Sequence, residues 1–231
     1  MTHLPELFAI LPEVFVAVFE VEKPWALLDA PLAALLAALP SAQILGRVHP
    51  GAHLLGDGIV LGKGSRIAPG AVIEGPVWIG EEVEIRVGAY LRGGCWVGDG
   101  CVVGANVEMK RAILFPGAHA AHLNYVGDSI LGRDVNLGAG VILSNFRHDG
   151  REIAIPTGEG GKLATGKRKL GAILGDGVAV GCNSVLNPGT LVGARTQVYT
   201  GVQLRSGIYP ADSWIKLRQQ LAIVEISTIG T

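Results

Sequence analysis

Aliphatic residues recur at every sixth position from Leu55 through Leu61, Ile67, Ile73, Ile79, Ile85, Leu91, Val97 and Val103 to Met109. After a four-residue step the series resumes at Ile113 and passes Leu131, Leu137 and Leu143. It returns after a long gap as Leu174, Val180, Leu186, Val192, Val198 and Leu204. Counting His119 and Tyr125, which fall on the same count, 20 of 22 positions are aliphatic. The next residue is often glycine (Gly56, Gly62, Gly80, Gly98, Gly104), and the fourth residue on is small or β-branched (Ala71, Val77, Val83, Ala89, Cys95, Cys101). A fixed period of this kind signals a stacked repeat. A period of six means a short strand, a corner and another short strand, so three strands close a triangular coil. The aliphatic residue points inward, and glycine permits corner conformations that a Cβ would obstruct. Successive coils then pair as parallel ladders roughly 4.8 Å apart. Twenty-two hexads make about seven coils of a mainly β, parallel β-helix.

The ends break the pattern. Residues 25–39 (WALLDAPLAALLAAL) consist of strong helix formers interrupted around Pro31, and predict a helical cap over the open N-terminal coil. Residues 211–223 (ADSWIKLRQQLAI) predict a second helix, and residues 1–24 suggest no more than one or two strands. The expected organisation is an N-terminal strand and helix cap over 1–44, a β-helix over 45–208 with a loop inserted at 145–170, and a C-terminal helix and tail over 209–231.

Composition changes this picture little. Apolar residues make up 49% and aromatics only 6%, so the core must be aliphatic. The 34 glycines follow no G-X-Y register, which excludes collagen. A net charge of −1 gives no electrostatic footprint for nucleic acid. Three cysteines without a CxxC provide no disulfide framework and fit a reducing, cytoplasmic setting. The apolar run near the start is interrupted by Pro12 and several acids, unlike a signal peptide or a membrane span.

Working sites tend to fall where local rules fail. The register slips between Met109 and Ile113, and the non-aliphatic His119 and Tyr125 bracket His122. The second break is the polar stretch Asn145 to Leu170, long enough to suggest function, with the basic run Lys167, Arg168, Lys169 at its re-entry. Arg92 and Lys110 are 18 residues apart and therefore share a corner of successive coils, where two stacked cations repel unless an anion relieves them. Solvation and a nearby acid such as Glu108 are the bland alternative. His119 and His122 (HAAH) alone do not make a metal-ligand set, and no metal is expected. The cysteines mostly occupy inward positions and are not expected to be nucleophiles.

The stretch from Tyr90 to Gly150, with VEMK, HLNYVGD, VNLGAG and Asn145, closely resembles the acetyltransferase domain of the bifunctional enzyme that makes UDP-N-acetylglucosamine. The segment GKLATGKRKLGAILGDGVAVGCNSVLNPGT looks still more like archaeal sugar-1-phosphate nucleotidyltransferases that carry an amino-sugar acetyltransferase domain. The resemblance, over roughly residues 45–208, implies a left-handed coil, against the usual right-handed crossover preference. It also implies a homotrimer with sites between subunits. It matches His122 to a general base, a task suited to an imidazole at neutral pH. It matches Arg92 and Lys110 to groups that hold a sugar 1-phosphate, and Tyr125, Asn136 and Asn145 to sugar-binding positions. Arg151 stands where the family often has lysine. Ala139 falls at a backbone contact to the donor thioester. Cys182 and Thr200 replace a serine and an alanine of the pantetheine groove. From charge alone, Lys167 and Arg168 are candidates for coenzyme A phosphates.

Residues 1–45 contain nothing like the glycine-rich loop of the family's nucleotidyltransferase domain, so this chain alone is not expected to make a nucleotide sugar. The expected activity is N-acetyl transfer from acetyl coenzyme A to an amino-sugar 1-phosphate, with glucosamine 1-phosphate first, en route to cell-envelope precursors. Acyl transfer to another phosphorylated or nucleotide-linked sugar is one alternative. A non-catalytic trimeric partner of a separate nucleotidyltransferase is the other.

Overall fold

The computed structural model describes residue 4 and residues 6–157 and 160–218. It is a three-sided left-handed parallel β-helix. The first face carries nine strands from Ala42–Ile44 to Gly207–Tyr209, the second nine from Arg47–Val48 to Trp214–Ile215, and the third eight from His53–Leu55 to Gln203–Leu204. The prism therefore has four strands, a little more than one coil, beyond the 22 hexads counted. The extra strands lie beyond both ends of the aliphatic series, where the inward residues are less regular.

The inward residues pack into one dry core, with Leu61, Ile79, Val97, Leu114 and Leu131 from the first face all fully buried. The expected register needs correction in two places: at its start, where Leu54 rather than Leu55 pairs with Ile73 and Leu55 is exposed, and around His119. Val103 pairs with Ala120 and Met109 with Val126, and Leu114, Ala120 and Val126 are the buried inward residues. Ile113, His119 and Tyr125 face outward. Two adjacent aliphatics, Ile113 and Leu114, made the count ambiguous by one. The cause is a pair of shortened corners between the third and first faces, from Met109 to Leu114 and from Val126 to Leu131. There Arg111 and Asp128 turn the chain with φ of 44° and 47°.

The N-terminal segment does not cap the open coil. It contains a short helix, Glu13–Val16, a 3-10 turn, Pro24–Leu28, and a helix, Ala30–Ala37; no strands form among the described residues of 1–24. Leu7, Phe15, Trp25, Leu27, Leu32 and Leu36 pack on the outer side of the first face, against Trp78, Trp96, Ile113, Phe115, Ile130 and Ile173. This outward stripe is apolar and needs cover. The arm starts beside Arg195, which bonds Glu6, and climbs past Asp176, whose carboxylate accepts from the Ala9 N–H at 2.8 Å. At the far end, Trp214–Ile215 pairs in parallel with Gln197–Val198. The predicted helix is thus a strand at this point, and residues 219–223 lie outside those described.

The insertion leaves the corner between the third and first faces at Asn145. It forms an antiparallel hairpin of Ile153–Pro156 with Lys162–Lys167, and Ile153, Ile155, Leu163 and Leu170 join the cover on the first face. Its ends are clamped together: the Leu170 N–H donates to Asn145 O at 3.0 Å and the Gly171 N–H to Asp128 O at 2.8 Å. A Cβ at Gly171 would fall 2.1 Å from Ser129 Oγ and 2.2 Å from Gly127 O, so only glycine permits this approach.

Candidate active site

Ladder pairing places Tyr90, Glu108 and Tyr125 in one outward column of the third face, and Arg92, Lys110 and Gly127 in the next. Arg92 Nη1 lies 3.0 Å from Glu108 Oε1, so the carboxylate foreseen as a neutraliser does engage one of the two cations. Burial first, then the neighbouring ammonium of Lys169, lowers the Lys110 pKa from the ordinary lysine value. Burial, reinforced by the Glu108 and Asp128 carboxylates, raises the Tyr125 phenol.

Because residue 127 is glycine, Tyr125 and Asn145 can close in over the backbone beside Lys110. A Cβ there would fall 2.6 Å from Tyr125 Oη and 2.7 Å from Asn145 Nδ2. Asp128, almost fully buried, braces this cradle from behind by pairing with Arg111 and accepting from Asn145 Nδ2. Arg111 Nη2 in turn donates to the Lys169 carbonyl at 3.4 Å. Arg92, Lys110, Tyr125 and Asn145 are thus brought together, joined by Lys169, Gly127, Arg111 and Asp128. Those four were not singled out as site residues in the sequence. Lys169 was visible there only as the last member of the basic run, because a loop outside the repeat has no register to assign it a face.

A second alignment runs along the corner between the second and third faces. The N–H of Gly140 donates to His122 O at 3.1 Å, that of Asn183 to Ala139 O at 2.8 Å, and that of Gly201 to Cys182 O at 2.9 Å. His122, Ala139, Cys182 and Thr200 therefore occupy one column, a coil apart each. His122 is exposed at the edge where this column meets the third face. Leu123, which follows it, has φ of 52° and is the only apolar side chain among the described non-glycine residues with positive φ. Such a backbone is uncommon for leucine and marks a constrained corner.

Below His122 the second face forms a shallow groove of about 390 Å³, lined by Asn136, Ala179, Cys182, Thr200, Tyr199 and Trp214. Tyr199 and Trp214 meet edge to face at 5.6 Å, both well exposed, and Lys216 Nζ stands 4.8 Å from the Tyr199 ring centroid. Asn136, paired with His119 and Ala179, belongs to this groove rather than to the Lys110 cradle of the same chain. Arg151 is exposed beside Asp149, to which its backbone N–H donates at 3.2 Å, and is likewise not in the cradle. Lys167 is turned away from the donor column and pairs with Asp29, while Arg168 Nε donates to Gly150 O at 2.9 Å. Both side chains are thus engaged by partners within the chain. Cys95 and Cys101 are buried and Cys182 is exposed. Among the described residues no cluster of three or more metal-ligating side chains forms, and no helix is long and apolar enough to cross a membrane.

Residues 73–181 match a family described as the GMPPB C-terminal domain. Over 182 residues the chain is 36% identical to a bifunctional sugar-1-phosphate nucleotidylyltransferase/acetyltransferase of Sulfurisphaera tokodaii, covering 79% of this chain and 45% of that protein. It is 34% identical over 119 residues to the bifunctional protein GlmU of Methanococcus maripaludis, covering 49% and 28%. An uncharacterized acetyltransferase, YaiX, of Escherichia coli is 34% identical over 167 residues, covering 71% of this chain and 70% of that one. The chain thus spans less than half the length of the bifunctional relatives and most of the length of the last.

Proposed function

Since the chain belongs to the hexapeptide-repeat acetyltransferases related to the acetyltransferase part of GlmU, we propose that it transfers acetyl from acetyl coenzyme A to the amine of an amino-sugar 1-phosphate. Glucosamine 1-phosphate is the acceptor the reading favours. The observation that carries it is the cluster of Lys110, Arg92 and Lys169 around the side-chain-free Gly127, with Tyr125 and Asn145 beside it. A phosphate dianion relieves the repulsion among these cations, and the phenol and amide suit sugar hydroxyls.

In this reading the donor runs along the column from Thr200 through Cys182 to Ala139, bringing its thioester to His122. The exposed Tyr199 and Trp214 rings with Lys216 suit the aromatic and phosphorylated end of coenzyme A. The His122 imidazole takes a proton from the acceptor amine as nitrogen attacks the thioester carbon. The C–N bond forms, the C–S bond breaks, and the coenzyme A thiolate recovers the proton. Such general-base assistance contributes about 10²–10⁴-fold.

Asn136 and the donor column face away from the cradle of their own chain. A homotrimer in which the second face of one subunit meets the third face of the next would supply both halves of the site. The test is thiol release from acetyl coenzyme A against a panel of amino-sugar phosphates, gluco and galacto, with the unphosphorylated sugars as controls. Release with none of them overturns the proposal. Release with a different phosphorylated or nucleotide-linked sugar reassigns the acceptor.

A further inference from the structure

The insertion re-enters the β-helix through Lys167, Arg168 and Lys169, and the first and last of these serve different neighbours. Lys167 Nζ pairs with the Asp29 carboxylate at the junction of the Pro24–Leu28 turn and the Ala30–Ala37 helix. The lysine side chain is only 9% exposed while the Asp29 side chain is half-exposed, so it is the ammonium that would lack a partner if the carboxylate were lost. Asp29 is itself firmly held. Its N–H donates to Ala26 O at 3.0 Å and its carbonyl accepts from the Ala33 N–H at 2.9 Å, while Leu27, Leu28 and Leu32 anchor the segment to the first face.

Two residues beyond Lys167 the chain reaches Lys169, beside Lys110. The connection has little slack: Arg168 Nε is bonded to Gly150 O and the Leu170 N–H to Asn145 O. The apolar contacts of Ile153 and Ile155 hold the hairpin to the first face without choosing a unique register, because burial is non-directional. A buried ammonium on a single carboxylate does choose one.

We propose that Asp29 and Lys167 form a latch through which the N-terminal arm positions Lys169, and with it the edge of the acceptor cradle. Neither touches substrate; both are positioning residues. The kinetic part of this inference rests on the acceptor reading above, whereas the mechanical part does not.

Asp29→Asn in the full chain keeps the shape and removes the charge. Hydrogen exchange of amides in residues 162–170 should accelerate while the rungs around Leu91 and Met109 stay protected. The KM for glucosamine 1-phosphate should rise about tenfold, the size of an ordinary coupling, with kcat and the KM for acetyl coenzyme A changed by less than about twofold. Asp29→Glu should restore the wild-type values, and Lys167→Met should add nothing in the Asp29→Asn background. If Asp29→Asn does not fold, Lys167→Met alone carries the same test, since it removes the buried charge together with its need for a partner.

Unchanged exchange in residues 162–170 overturns the latch whatever the substrate. Faster exchange with an unmoved acceptor KM overturns the positioning role, as does a parallel loss of kcat and both KM values with a lower Tm. A wild type that does not acetylate glucosamine 1-phosphate overturns the proposed function instead, and the exchange result then decides the latch.

Discussion

Arg92 and Lys110 are partners in the third-face ladder, yet only Arg92 has a carboxylate at 3.0 Å, that of Glu108. Among the described residues no acid forms an ion pair with Lys110; its charged neighbours are the Lys169 ammonium, the Asp128 carboxylate, which is itself paired with Arg111, and Arg92. Lys110 should therefore dominate recognition of an anionic acceptor. Lys110→Ala should cut kcat/KM for glucosamine 1-phosphate by about 10–10²-fold, the equivalent of one hydrogen bond to a charged group at roughly 1.5–3 kcal/mol. It should leave glucosamine and the KM for acetyl coenzyme A nearly unaffected. Equal use of both sugars by the wild type would sink the phosphate assignment.

The same cation predicts a pH dependence. Its ammonium is present below the lysine pKa and lost above it, and burial with the nearby Lys169 moves that pKa below the ordinary value. Acceptor affinity should therefore begin to fall at a lower pH than an ordinary lysine, near 10.4, would give. Lys110→Arg should move the fall upward, because guanidinium stays charged. A profile of acceptor KM against pH that is identical in the two enzymes excludes Lys110 as the titrating group.

Much of this was legible in the sequence because the prism tolerates only aliphatic residues at one position in six. The reading faltered where that rule ceased to discriminate: Ile113 and Leu114 both satisfy it, and the choice between them moved His119 and Tyr125 into the core on paper. The arm's location had a signal that went unread. Trp78 and Trp96 pair across adjacent rungs of the first face, and two outward tryptophans one coil apart imply a cover. His122, Ala139, Cys182 and Thr200 were named in the sequence by resemblance alone, because a shortened corner and the insertion interrupt their spacing; the ladder aligns them in one column. Lys169 and the Asp29–Lys167 pair were not recoverable, because a loop and an arm outside the period meet only in three dimensions.

The cysteines check the inward register. Burial pushes the Cys95 and Cys101 thiols up to about 12, and the thiolate is the reactive form. Near neutral pH one thiol per chain, Cys182, should react readily with a thiol reagent, and all three should react after denaturation. If the donor lies along the column, saturating acetyl coenzyme A should slow the labelling of Cys182. Rapid native labelling of Cys95 and Cys101 would show that the inward register of the coil from Leu91 to Val103 has been placed incorrectly.

Adjacent substitutions test the corrected register more sharply. Ala120 is fully buried and inward, whereas His119 is outward and partly exposed. Ala120→Asp puts a carboxyl without a partner into the core and should cost about 3 kcal/mol or more. That corresponds to a Tm lower by roughly 6–12 °C for a chain of this size. His119→Asp should stay within about 0.5–1 kcal/mol, as surface changes do. The reverse order in thermal melts would return His119 to the interior.

His122 bears the proposed chemistry, and its surroundings separate catalysis from stability. It is exposed, and its contributions to the fold are backbone ones: its N–H donates to Asn124 Oδ1 at 3.1 Å and its carbonyl accepts from Gly140 at 3.1 Å. His122→Ala keeps both hydrogen bonds, so the melting temperature and oligomeric state should barely change. The lost base should lower kcat by about 10²–10⁴-fold. The KM values should move little, because the cradle around Gly127 and the column from Ala139 to Thr200 do not depend on the imidazole. His122→Gln, which fills the space without accepting a proton, should be as poor as alanine. Turnover near the wild-type rate in either variant removes His122 from the mechanism. The base would then have to come from elsewhere on the third face, or the amine would have to arrive already deprotonated. A kcat loss accompanied by a comparable drop in Tm would instead assign His122 to holding the Leu123 corner.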